Sequence, residues 1–191
     1  EWVFVSSLNG AWQKNIETIL EAQQTRRFKL AVNPGQHNLH EDAPLVVRLV
    51  RHADVLILNK DEAIELVLSL LPGVSREQLF QESFLLDTLL GIGVKQVAIT
   101  DGERGAWCAT KEERWFLGVN KNIQVVDATG AGDAFSSGFF GAILKGERLD
   151  AALRQGVANS QSVVQFYGCN AGLLTKEELA QAILHLVPEK L

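Results

Sequence analysis

The chain of 191 residues is 47% hydrophobic and 21% charged, with a net charge of −5 and a pI near 5.4. This is the composition of a globular protein long enough to bury a real core. It argues against a nucleic-acid-binding face, because no basic cluster exceeds Arg26-Arg27, and against a membrane span or signal peptide, because no apolar run has the necessary length.

Short apolar runs alternate with amphipathic stretches, which predicts a mostly parallel sheet covered by helices. The first strand is expected over 2–6 and reads as buried. A chain that holds no methionine and opens inside such a strand is expected to be a fragment, with a part missing upstream. A helix follows over 12–26, with Ile16, Ile19 and Leu20 on one face, and then a strand over 28–32 closed by the turn Asn33-Pro34-Gly35. Polar residues as far as Asp42 read as a loop, and 44–52 as a short helix. A strand over 54–58 enters Asn59-Lys60-Asp61-Glu62 and a helix to 71, broken by Pro72-Gly73. Ser75 is the expected N-cap of one long helix to 90, closed by Gly91 and Gly93. A strand over 94–100, the turn Asp101-Gly102-Glu103-Arg104-Gly105 and a hairpin of strands over 106–110 and 114–117 come next. A β-type run over 122–126 leads into Asp127-Ala128-Thr129-Gly130-Ala131-Gly132-Asp133-Ala134-Phe135 and an apolar helix reaching 144. A helix over 149–167 ends at Gly168, and Thr175-Lys176-Glu177-Glu178 opens a last helix as a capping box. With no repeat, low-complexity tract or linker, residues 1–191 read as a single α/β domain.

The stretch Asp127 to Phe135 carries the strongest chemical signal. Strand, small-residue turn and helix in that order expose backbone N–H groups at a helix N-terminus, which suits an anion. Asp133, in the first turn, sets a proton acceptor beside it. A P-loop is excluded because no lysine follows the glycines, and a dinucleotide fingerprint because Phe135 stands where its third glycine belongs. Asn59 and Glu62, three apart at the end of a strand, fit either a polar ligand site or a plain helix cap with a first-turn acid. Thr100 to Gly105 fits either close phosphate approach or a hairpin entry. The histidines His37, His40, His52 and His185 show no metal-ligand spacing, and His37 and His40 read as solvated loop residues. Cys108 and Cys169 show no ligand or redox spacing and read as two buried thiols in a reducing cytoplasm.

The nonapeptide from Asp127 to Phe135 resembles the C-terminal signature of the ribokinase-like, or PfkB, carbohydrate kinases, with Ala128 where many members carry threonine. The resemblance implies a three-layer α/β sandwich, with a mostly parallel central sheet flanked by helices. It also implies that the N-terminal strands and the β lid of the family lie outside this chain. Gly130, Ala131 and Gly132 would form the anion hole for the migrating phosphate, and Asp133 would take the proton of the attacking hydroxyl. Asn59-Lys60-Asp61-Glu62 is similar to the family's Asn-x-x-Glu motif, which positions magnesium and phosphate through water. Thr100, Asp101, Gly102, Glu103, Arg104 and Gly105 resemble its nucleotide loop, with Arg104 a counter-charge to the two acids. Asn159 matches the asparagine that lies against the nucleotide base, and Asn33-Pro34-Gly35 a scaffolding turn. The loop of Asp127 and Thr129, with backbone from Gly168 to Asn170, matches the family's potassium site.

The resemblance therefore implies a cytoplasmic, ATP- and magnesium-dependent kinase acting on a hydroxyl of a sugar or nucleoside, with potassium as a further ion and a homodimer formed through the lid. A catalytically silent nucleotide- or metabolite-binding relative and a vitamin kinase of the same superfamily are the alternatives. This chain alone, without a lid to exclude water, is expected to have little or no kinase activity.

Overall fold

The computed structural model describes all of Glu1–Leu191. The residues divide into two units, Glu1–Ile99 with Ala109–Lys111, and Thr100–Cys108 with Glu112–Leu191.

In the first unit the strands β1 (Trp2–Val5), β2 (Lys29–Val32), β3 (Val55–Asn59) and β4 (Gln96–Thr100) lie side by side in chain order. The first two pairings are parallel, with Val3 opposite Leu30 and Val32 opposite Leu56. Helix α1 (Trp12–Arg26) joins β1 to β2, α2 (Gln36–Val50) joins β2 to β3, and α3 (Lys60–Leu70), α4 (Arg76–Leu79) and α5 (Glu82–Gly91) join β3 to β4. Successive crossovers of one hand in one direction put these helices on the same face, and α1 packs on α2, α2 on α3, and α3 on α5. Strands β2 and β3 are apolar and buried without alternation from Leu30 to Val32 and from Val55 to Leu58, as expected where both faces are covered.

Three expectations change here. The first strand is not fully buried: Val5 is inside, but Phe4 is 40% exposed, because β1 ends the strand order and has a neighbour on one side only. The polar stretch before Asp42 is helical. Asn38 and Leu39 are buried, and the Asn38 side chain accepts from the Leu8 N–H (3.0 Å) and donates to the Leu8 carbonyl (2.8 Å), docking that turn on the segment after β1. Helix α2 kinks at Asp42 (φ −152°, ψ 72°), whose carboxylate caps the Leu45 N–H at 3.1 Å. Pro44 then sits in the first turn of the second piece, where no N–H is required. His37 and His40 thus lie on a helix, paired with Glu41 (3.2 Å) and Glu65 (3.0 Å). Finally, the long helix from Ser75 is two. Ser75 and Gln78 form a capping box on α4, but Gln81 is extended (φ −91°, ψ 113°), and α5 starts afresh at Glu82. The buried Lys60 draws this break towards α3 by bonding to the Glu82 carboxylate and the Phe80 carbonyl, which keeps its charge paired.

The second unit contains β5 (Ala106–Ala109), β6 (Arg114–Leu117) and β7 (Glu189–Lys190), adjacent in that order. Strand β7 runs antiparallel to β6 with Trp115 opposite Lys190. Two residues are too short a strand for the sequence to mark, and no expected element corresponds to β7. The body of the unit is the pair α6 (Ala131–Leu144) and α7 (Leu149–Val163), followed by α8 (Lys176–Ala182). Glycines set the approach of α6 to α7. A Cβ at Gly138 would lie 2.6 Å from the Gln155 carbonyl oxygen, and one at Gly156 would lie 2.8 Å from the Phe135 ring.

The expected strand over 122–126 is absent; those residues form a loop in which Val125 and Val126 are exposed. The loop is held from outside, since the N–H groups of Val126 and Asp127 both donate to the Val164 carbonyl at 2.8 and 3.2 Å. That carbonyl is available because α7 ends at Val163, short of the expected 167. The Thr175–Glu178 capping box on α8 is present as read. No helix is long and apolar enough to cross a membrane.

Candidate active site

The N-terminus of α6 is built from three interlocking pieces of the second unit. Gly130 is its N-cap in the left-handed region (φ +81°), and a Cβ there would lie 2.7 Å from the Cα and Cβ of Cys169. Only glycine satisfies both the dihedral and the space. Asp127 clamps the same loop: one carboxylate oxygen accepts the Thr129 N–H at 2.9 Å and the other the Gly168 N–H at 3.1 Å. The Thr129 N–H, the Thr129 hydroxyl and the Gly168 N–H together hold the Asp127 carboxyl below the usual carboxylate range. The loop bearing the signature and the loop after α7 are thereby fastened to each other. Cys169, expected buried, is exposed on that second loop, whereas Cys108 is buried against α7.

At the tip, the Ala131 N–H turns back to the Ala128 carbonyl (3.2 Å), and the first helical bond runs from the Ala134 N–H to the Gly130 carbonyl (2.8 Å). The N–H groups of Gly132 and Asp133 meet no acceptor in the chain. Gly132 is exposed with open space where a side chain would be, and Asp133 is exposed. Two free donors, the positive end of a helix of 14 residues and an uncommitted carboxylate thus share one exposed tip, an arrangement chemically suited to receive an anion. Its donor set fits phosphate oxygens approaching Gly132, where no Cβ stands in the way.

Asn159, on α7, is 7% exposed. Its amide nitrogen donates to the Ala134 carbonyl (2.9 Å) and the Ser137 hydroxyl (3.2 Å), and its oxygen accepts the Leu174 N–H (3.1 Å). It is neither a solvent-facing residue nor one with a spare donor.

The segment Thr100 to Gly105 follows β4 as a single 3-10 turn, Gly102–Arg104. Arg104 pairs with Asp101, so one acid of the loop does carry the counter-charge anticipated for it. Gly105 (φ +112°) is required by packing, since a Cβ would fall 2.2 Å from the Leu117 carbonyl oxygen, whereas Gly102 faces open space.

Asn59 and Glu62 belong to the first unit and are brought together as a reciprocal cap. The Asn59 side chain accepts the Glu62 N–H and the Glu62 carboxylate accepts the Asn59 N–H, each at 2.9 Å. Burial pushes the Glu62 carboxyl up, against the opposing pull of the Asn59 N–H. No cluster of three or more His, Cys, Asp or Glu side chains is suited to hold a metal directly. Asn33 scaffolds the same unit, its N–H bonding to the Val5 carbonyl (2.8 Å) and its side chain to that of Ile57 (3.0 Å). The resemblance places backbone from Gly168 to Asn170 with the signature loop, but sequence reasoning missed Ser137 and Leu174 as partners of Asn159 beside that loop. They contribute backbone groups or contacts that no spacing records.

The model of the pfkB family of carbohydrate kinases matches residues 3–176, and this chain belongs to that family. A nucleoside kinase of Methanocaldococcus jannaschii is 27% identical over 154 residues, 81% of this chain and 47% of that protein. A ribokinase of Staphylococcus aureus is 31% identical over 160 residues, 81% of this chain and 50% of that protein. The chain thus spans about half the length of these relatives. The α/β ribokinase fold is shared with solved structures, among them one from E. coli in complex with ATP and Mg2+, with a TM-score of 0.70 at 22% identity over 91% of this chain and 53% of that one.

Proposed function

We propose that the chain serves ATP-dependent phosphoryl transfer to a hydroxyl group of a sugar or nucleoside. The observation that carries this reading is the exposed tip of α6, where the free N–H groups of Gly132 and Asp133 adjoin the uncommitted Asp133 carboxylate. Phosphoryl transfer asks a protein chiefly to position groups and stabilise charge. The Gly130–Gly132 turn would hold the oxygens of the phosphoryl group as it leaves the nucleotide. Asp133 would accept the proton of the alcohol as its oxygen bonds to phosphorus and the bond to the leaving diphosphate breaks.

Asn59 and Glu62 would hold magnesium through its water shell, in keeping with side chains already engaged in capping and with the ion's reluctance to dehydrate. The Thr100–Gly105 turn would lie along the nucleotide phosphates. A potassium ion at the Asp127–Thr129 loop belongs to the same proposal, supported by the closeness of that loop to Gly168 and Cys169. The nucleoside kinase and ribokinase relatives support the substrate class without choosing within it.

The test is Asp133→Asn in the full-length protein, with ATP binding followed by calorimetry and phosphate transfer followed separately against ribose and nucleosides. Turnover is expected to fall by about 10²- to 10⁴-fold, with ATP binding little changed. Near-normal turnover in the variant would remove Asp133 from the base role. Failure of the unsubstituted protein to bind ATP would overturn the reading as a whole.

A further inference from the structure

Asn159 is the most fully engaged polar side chain near α6, and its partners are unusual in kind. A buried side-chain amide is stable only when its donors and acceptor are met. Here both amide hydrogens have acceptors on the first turns of α6, and one of those acceptors, the Ala134 carbonyl, belongs to the residue directly after Asp133. The Ser137 hydroxyl, which accepts from Asn159, itself donates to the same Ala134 carbonyl at 3.0 Å. The three groups form a closed ring that fixes the first turn of α6 to α7. The amide oxygen holds the Leu174 N–H, at the far end of the loop whose near end supplies Gly168 to Asp127 and Cys169 to Gly130.

Resting on the kinase reading above, we infer that Asn159 is a positioning residue, which sets the direction of the Asp133 turn and of the loop packed against Gly130 and makes no contact with the nucleotide base. Each hydrogen bond from its amide ends on backbone or hydroxyl inside the unit, so recognition of a base would have to break one of them. The side chain orients the proposed base without touching a reactant. Its loss lowers the rate of the chemical step and leaves nucleotide discrimination alone.

The experiment uses two variants. Asn159→Asp keeps the shape but removes both donors and sets a carboxylate against the Ala134 carbonyl. Ser137→Ala is a milder cut in the same ring at an exposed position. In steady-state kinetics of the full-length protein, well below the unfolding temperature, Asn159→Asp is expected to lower kcat by about 10- to 100-fold and Ser137→Ala by about threefold, the sizes expected when a reacting group is misplaced. KM for ATP and the preference for ATP over GTP should stay within about twofold. Placed in an Asp133→Asn background, Asn159→Asp should cause little further loss, because it acts through the residue already removed.

Amide hydrogen exchange gives a readout independent of turnover. Asn159→Asp should speed exchange at Leu174 and in the first turns of α6 while leaving Ala142 to Leu144 unchanged. A raised KM for ATP with lost discrimination against GTP would overturn the inference in favour of base contact. Uniform loosening of α6 with unaltered kcat would reduce Asn159 to a stabilising residue. Normal turnover in Asp133→Asn alone would fault the base role of Asp133, and no phosphate transfer by the unsubstituted protein would fault the kinase reading; in either case the exchange result judges Asn159 by itself.

Discussion

Two glycines on α6 test whether the contact between α6 and α7 is as close as described. Gly138 and Gly141 are one turn apart on the same helix, and alanine at either gains helix propensity of about 1 kcal/mol. At Gly141 nothing lies within 4 Å of a new Cβ, so Gly141→Ala should realise most of that and stabilise by about 0.5–1 kcal/mol. At Gly138 the Cβ would stand 2.6 Å from the Gln155 carbonyl oxygen, 2.9 Å from its carbon and 3.1 Å from the Gly156 Cα. All three are backbone atoms of α7, so no side chain can swing away; the helices must part by about 0.8 Å to reach ordinary contact. Forced overpacking of this sort costs about 1–3 kcal/mol. Against the propensity gain, a net loss of up to about 2 kcal/mol is expected for Gly138→Ala. The propensity gain is common to both variants, so they should differ by the overpacking cost, about 1–3 kcal/mol, although the chemical change is identical. Urea unfolding followed by far-UV circular dichroism reads the midpoints, with m-values checked for constancy. In heat, each kcal/mol corresponds to a shift of about 2–4 °C for a chain of this size. Equal midpoints, or Gly138→Ala the more stable of the two, would refute the close approach.

Two further outcomes follow from the site. Because its hydrogen bonds lower the Asp127 carboxyl in the folded state, the stability it confers is present above the ordinary carboxylate range and is lost as pH falls through the lowered folded value. Asp127→Asn should accordingly flatten the acid limb of a plot of urea midpoint against pH between about pH 6 and about pH 2; an unchanged limb would show that the Thr129 and Gly168 contacts do not bind the ionised form. The thiols should separate cleanly. Burial, followed by the charges of Glu113 and Asp150, pushes the Cys108 thiol well up, while Cys169 is exposed, so iodoacetamide at neutral pH should add one label to the native protein and two after unfolding, read by intact mass. Two labels on the native chain would contradict the enclosure of Cys108.

Much of the local structure could be read directly. The helix over 12–26, the cap at Asn59 with Glu62 and the box at Thr175 with Glu178 depend on periodicity and on side chains bonding to their own first turn. Such interactions span three or four residues, so sequence spacing records them. The signature from Asp127 to Phe135 belongs to this class in its second half: glycine, small residue, glycine and acid open a helix as expected, beginning at Ala131. Its first half does not, because Val125 and Val126, read as strand by their β-branched side chains, are fastened instead to the Val164 carbonyl.

The remaining differences have the same origin. Polar residues 36–41 became helix because Asn38 found Leu8, 30 positions away. The helix after Ser75 broke because Lys60 reached Glu82, and Gly105 proved to be a packing glycine because Leu117 lies against it. By itself the sequence determined the class of fold, the helix caps and the turn that presents Gly132 and Asp133, since each follows from neighbours along the chain. Only the tertiary structure decided what holds that turn in place. Asp127 on Gly168, Gly130 against Cys169 and Asn159 on Ala134 are meetings of distant segments through backbone atoms, and a backbone atom has the same identity at every position.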